Sequence, residues 1–153
     1  MLLEIIVTPK IHAAAGTLAL ITITTFWGST ILTELFGSHS QVATLKMGIL
    51  WGMLILIPSM ATAGATGAAL GRKWRLPQVA AKSKRMKFIA ANGLLVLVPS
   101  AVFLAFRAGS GQFDGLFYTV QAVELMAGAT NITLLGLNMK AGLAISARRR
   151  IKS

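Results

Sequence analysis

Cysteine is absent from this chain of 153 residues. Its absence removes disulfides, thiolate metal sites, iron–sulfur clusters and cysteine nucleophiles. Charge is scarce as well. Asp, Glu, Lys and Arg make up 12% of the residues, where a soluble domain carries about 25%. So few charges cannot clothe a water-exposed surface, and the 55% hydrophobic content and mean hydropathy of +0.72 agree. A secreted soluble domain, a disordered tail and a nucleic-acid binder are thereby excluded. Acids are the rarest class, four against fifteen bases, for a net charge of +11. There is no Walker loop, GxSxG, HExxH or Ser/His/Asp set at matched depth, so hydrolytic chemistry has no candidate.

What is present is apolar sequence in long blocks, at residues 11–36, 46–70, 88–106 and 113–145. Each is long enough to cross a hydrocarbon core of about 30 Å, which takes roughly 20 helical residues. The blocks lack the period-2 alternation of barrel strands, which leaves helices as the spanning solution. The expected fold is a single all-α transmembrane domain, an antiparallel four-helix bundle with connections at 37–44, 71–87 and 107–112. The 71–87 loop holds Arg72, Lys73, Arg75, Lys82, Lys84, Arg85 and Lys87. The C-terminal end, with its tail at 146–153, holds Lys140, Arg148, Arg149, Arg150 and Lys152. With Lys10 these fall on one side, and Lys46 and Arg107 alone fall on the other. The positive-inside rule then places both termini in the cytoplasm. The first helix lacks a strongly basic leader and a small-x-small cleavage site, so it reads as retained. The basic loop and tail are expected to attract anionic lipid headgroups, at about 1 kcal/mol per residue.

Trp74 stands where an interfacial anchor belongs. Residues 61–71, ATAGATGAALG, place Gly67 and Gly71 at GxxxG spacing, which predicts close packing inside the bundle or a homodimer face. Pro58 and Pro99 fall inside spans and are expected to kink them.

The polar residues at membrane depth carry the functional information. At about 100° per residue, His12, Gly16, Ala19, Ile23, Thr30 and Glu34 share one stripe of the first helix. Gln121, Glu124, Gly128, Asn131, Asn138 and Gly142 share another on the fourth. Both stripes are expected to face inward, because ionisable and amide groups facing lipid are expensive. Two clusters follow. The inner one gathers His12, Asn138 and Asn92, with Met86 and Met139 nearby. The outer one gathers Glu34, Gln121 and Glu124, with His39, Tyr118 and Asp114 at its mouth. Two carboxylates in a poorly hydrated space cannot both ionise cheaply. Such a pair suits proton uptake, cation binding or a hydrogen bond to a quinone headgroup. Glu34, His39 and Glu124 are an alternative divalent-metal set.

The local sequence IHAAAG, a histidine followed by small residues on its own face, resembles the haem-ligating helices of membrane b-type cytochromes, which are also four-helix bundles. That resemblance implies haem b on His12, with Gly16 as the groove; His39 is too far along the chain to clamp the same haem, which leaves Met86 or Met139, an open sixth position or the His12 of another protomer to complete it. It implies electron transfer, with Glu34 and Glu124 at an outer quinone or proton site. The alternative is a cofactor-free transport or accessory subunit with a proton or cation path along the seam between the first and fourth helices. A structural subunit of a larger complex is a third reading. The whole chain, including NGLLVLVPSAVFLAFRAG and FDGLFYTVQAVELMAGATNITLLGLN, resembles a group of small four-span proteins of proteobacterial inner membranes. That likeness implies the Gram-negative inner membrane as the location.

Overall fold

Helix propensity carries the chain past the limits of its apolar blocks. The computed structural model describes residues 2–71 and 77–152. Arg72, Lys73, Trp74 and Arg75 lie outside the described residues, as do the side chains of Arg148, Arg149, Arg150 and Lys152. The Trp74 anchor and much of the basic loop and tail therefore fall there. Helix α1 runs Leu2–Phe36 and α2 runs His39–Gly71. Helix α3, Pro77–Asn92, passes through a π-helical segment, Gly93–Leu97, into α4, Val98–Gly109, and α5 runs Gly115–Lys152. Alanine, lysine, arginine and methionine dominate residues 79–87, and all are good helix formers, so α3 begins well before the apolar block does. Hydropathy marks only the part of each rod suited to lipid.

The turn between α1 and α2 is short because both sides of it are capped. The Ser38 N–H donates to Gln41 Oε1 at 2.8 Å, and the Gln41 N–H donates to Ser38 Oγ at 3.4 Å. This reciprocal pair is a capping box, and it starts α2 at His39 rather than near residue 46. Asp114 does the same for α5, where its Oδ1 accepts the Phe117 N–H at 3.0 Å.

Four rods result, counting α3, the π segment and α4 as one. Spans Thr8–Phe36, His39–Gly71, Val79–Gly109 and Gly115–Ala144 are each long and apolar enough to cross a membrane. Sequential rods are neighbours, and α5 closes the ring against α1. The architecture is an all-α antiparallel four-helix bundle.

Rings on α1 set two of the approaches. Phe26 lies so close over Gly52 of α2 that a side chain there would overlap it, and Trp27 lies over Gly128 of α5, where a Cβ would come within 3.0 Å of its ring. Gly67 of α2 lies under His12 in the same way, at 2.9 Å. Within the 61–71 run, Gly67 thus serves packing inside the bundle.

Between the rods the core is layered. Val42, Leu104, Ala108 and Phe117 pack at one end, Ile49, Met53 and Ala101 come next, and Ile23, Ile89 and Leu135 follow. The outside is also apolar, with Phe36 82%, Leu95 76% and Met126 73% exposed. Apolar patches of this kind call for a nonaqueous neighbour.

The third rod is irregular for an identifiable reason. Pro99 has no N–H, and its ring crowds the carbonyl four residues back. The chain widens into a π turn just before it, and the Val98 N–H reaches Gly93 O instead. Helix α2, by contrast, continues through Pro58 without a break.

Candidate functional site

Near one end of the bundle, α2 and α5 bring an ammonium and a carboxylate into the core. Lys46 is 1% exposed, and its Nζ donates to Glu124 Oε2 at 2.5 Å. Gln121, one turn earlier on α5, donates through Nε2 to the same oxygen at 3.0 Å. Glu34 approaches from α1, within electrostatic reach of Lys46, Glu124 and His39. Its Oε1 and Gln121 Oε1 are buried with no hydrogen-bond partner. Two carboxyl groups and one ammonium therefore share a site with unspent acceptors.

Immediately inside this site lies a cavity of about 50 Å³, bordered by Glu124, Trp27 and Thr30 among apolar residues such as Ile49 and Met53. It admits water. It is far below the roughly 300 Å³ of small ligand pockets, so it suits water or a bare ion rather than a quinone ring.

Farther along, the Trp27 indole donates to Leu125 O at 2.9 Å. Half-buried Asn92 and buried Asn131 form an amide pair: Asn92 Nδ2 donates to Asn131 Oδ1 at 2.8 Å and to Ala127 O at 3.0 Å. Asn131 Nδ2 in turn donates to Ile89 O at 3.3 Å. Beyond the pair, the Ile23, Ile89 and Leu135 layer closes the core, so the polar seam is interrupted by an apolar plug.

At the other end, His12 turns toward α2 and α3. Its Nδ1 donates to Ala63 O at 3.0 Å and lies 3.2 Å from the Thr66 hydroxyl. A carbonyl only accepts, so Nδ1 carries the proton and Nε2 is the bare nitrogen. That nitrogen faces Lys82 Nζ at 3.2 Å.

The two expected stripes are confirmed as inward faces. Ala19, Ile23, Thr30, Gln121, Asn131 and Asn138 are buried, while His12, Gly16, Glu34 and Glu124 are half-buried. Grouping by depth fares differently at the two ends. Glu34, Gln121 and Glu124 do come together. His12, Asn138 and Asn92 do not: Asn92 lies ten residues beyond Lys82 on the third rod, about 15 Å along its axis. Asn138 is buried with both amide atoms unpartnered. Met86 packs in the apolar layer with Ile89, and Met139 is 43% exposed.

His12 spends both ring nitrogens within the chain. Its Nε2 faces Lys82 Nζ at 3.2 Å and its ring lies against Gly67, whereas the space at Gly16 is open. The proposed divalent set is dispersed as well. His39 stacks on Phe113, with ring centroids 4.1 Å apart, and the Lys46 ammonium occupies Glu124. Among the described residues, no group of three or more His, Asp or Glu is placed to hold a metal ion. Tyr118 faces Phe117 edge-on, and Asp114 pairs with Arg107 outside the core.

Lys46 is the residue that sequence reasoning treated only as a topology marker. Its spacing held the signal, because Val42, Lys46, Ile49 and Met53 recur at intervals of four, three and four along one buried helical face. No family model, no curated protein and no solved structure matches the chain.

Proposed function

We propose that this protein is a cofactor-free membrane subunit that handles protons, with Glu124 and Glu34 as the exchanging groups and Lys46 as their fixed counter-charge. The observation that carries this reading is the buried Lys46–Glu124 pair beside the unpartnered Glu34 oxygen. With all three ionised, one negative charge would be left uncompensated in a poorly hydrated space. Uptake of one proton balances it. The ammonium already on Glu124 repels a metal cation at the same spot, which favours a proton over a metal ion. The water-sized cavity at Glu124 supplies an inward step, and Trp27, Thr30 and the Asn92–Asn131 pair continue the polar lining until the Ile23, Ile89 and Leu135 layer. A plug of this kind keeps the two sides of a membrane from being connected at once. The bases of the 71–87 loop and of the C-terminal end share the His12 end of the bundle with Lys10, so we assign that end and both termini to the cytoplasm of a bacterial inner membrane.

The test is proton flux into liposomes with a clamped potential, read by an internal pH dye. The native protein is expected to accelerate flux, and Glu124→Gln and Glu34→Gln to reduce it to the level of empty liposomes while circular dichroism stays unchanged. Undiminished flux in both variants would overturn the assignment.

A further inference from the structure

The two lysines of the core are treated differently by their surroundings. Lys46 has a carboxylate, whereas among the described residues Lys82 of α3 has the bare nitrogen of a neutral imidazole. Among the described residues the ion pairs are Lys46–Glu124 and Arg107–Asp114, and both lie at the opposite end of the bundle. Glu4, the one acid of this end, precedes His12 by eight residues, about 12 Å along α1.

The charged residues next along α3 and closest to Gly142 on α5 are basic. Arg85 is half-buried one turn ahead on the same helix, and Lys140 lies on α5 two residues before Gly142. Gly142 brings α5 up against one side of the ammonium, since a Cβ there would stand 3.3 Å from Nζ, tighter than an ordinary contact. Lys82 donates one described hydrogen bond and has two further N–H groups to offer. Its depth selects the class of ligand. The apolar block of the third rod begins at Phe88, six residues or about 9 Å past Lys82, so Lys82 stands at headgroup level.

We infer that Lys82, oriented by His12 and flanked by Arg85, binds a phosphoryl oxyanion at the basic end of the bundle. An anionic phospholipid headgroup and free inorganic phosphate share this chemistry. The His12 imidazole, anchored on Ala63 O, holds the ammonium beside Gly142, with its remaining N–H groups free for an oxyanion. His12 is a positioning residue here.

Native mass spectrometry of the detergent-solubilised full chain tests the inference, with phosphatidylglycerol, phosphatidylcholine and inorganic phosphate as separate probes. The native protein is expected to retain phosphatidylglycerol and not phosphatidylcholine. Lys82→Gln is expected to weaken retention roughly tenfold, as loss of a charge-assisted bond would. Lys82→Arg keeps the charge and restores binding, and Lys87→Gln, at an exposed position, leaves it unchanged. If inorganic phosphate binds with the same dependence on Lys82 and displaces the lipid, the site is confirmed and its ligand is the soluble ion. Equal retention by the native protein and Lys82→Gln, with both folded by circular dichroism, would overturn the site. So would an equal loss in Lys87→Gln, because generic surface charge would then explain the binding.

Discussion

The two ends of the bundle solve the same problem, a lysine in a nearly charge-free chain, in opposite ways. At the Glu124 end the ammonium is sealed in the core and neutralised by carboxylates of the same chain. At the His12 end it is half-buried, held by a neutral ring, and left with donors to spare. The difference teaches that burial and compensation go together. A sealed charge must bring its partner with it, whereas a charge at the rim can take its partner from the surroundings.

The largest test of that contrast is to remove the internal partner. Glu124→Ala removes the hydrogen-bonded partner of buried Lys46 and leaves it only Glu34 at a distance, and the expected loss is about 3 kcal/mol of stability, read by denaturant titration in detergent micelles. Replacing both residues, Lys46→Met with Glu124→Met, is expected to recover most of that loss, because the charge to be compensated is gone. A double variant as unstable as the single one would show that packing rather than charge governs the site.

A middle-sized effect is expected between the two ends. Asn131→Leu removes the acceptor of Asn92 and the bond to Ile89 O. Hydrogen bonds between membrane helices average about 0.6 kcal/mol and reach about 1.7, so a loss near 1 kcal/mol is expected in the same titration.

Lys82→Gln is expected to change stability by less than about 1 kcal/mol in lipid-free micelles, since a half-exposed charge is screened and contributes little. A loss as large as that of Glu124→Ala would erase the distinction between the two lysines.

The smallest effect belongs to the loop beyond the Glu124 end. The Phe117 N–H, and after it the Arg107 guanidinium, hold the Asp114 carboxyl below the usual carboxylate range. A depressed carboxyl stabilises the fold above its unfolded value, near about 3.9, and the contribution disappears as pH falls through the lower folded value. Protection of the first amides of α5 against hydrogen exchange is therefore expected to hold at pH 5 and to decline only in stronger acid. Asp114→Asn should show no such decline.

Most of the architecture was legible because lipid imposes a simple rule on sequence. Long apolar blocks gave the four rods, and the stripes through Ala19, Ile23 and Thr30 and through Gln121, Asn131 and Asn138 gave their inward faces. The helix ends were less legible: α3 is made of residues that read as a basic loop by charge and as a helix by propensity. Pairing across the bundle was least legible. Depth counted from the block ends set His12 level with Asn138, but the structure sets it with Lys82 and Gly142, one turn farther along α5. The histidine also chose α2, because Gly67 leaves space for its ring and Ala63 O accepts its proton. Neither fact can be read from one helix alone. Lys46 shows the opposite failure, since its heptad position was visible but its charge assigned it to the surface.

The wide turn at Gly93–Leu97 also governs the phase of the third rod. At about 100° per residue, Leu104 and Ala108 would stand some 60° and 100° around an uninterrupted α-helix from Ile89, yet all three are buried. The π segment takes up one residue of rotation, so that a single rod docks correctly on its neighbours above and below. Deleting one residue there would rewind the segment to a regular helix and turn α4, with Arg107 at its tip, away from its present partners.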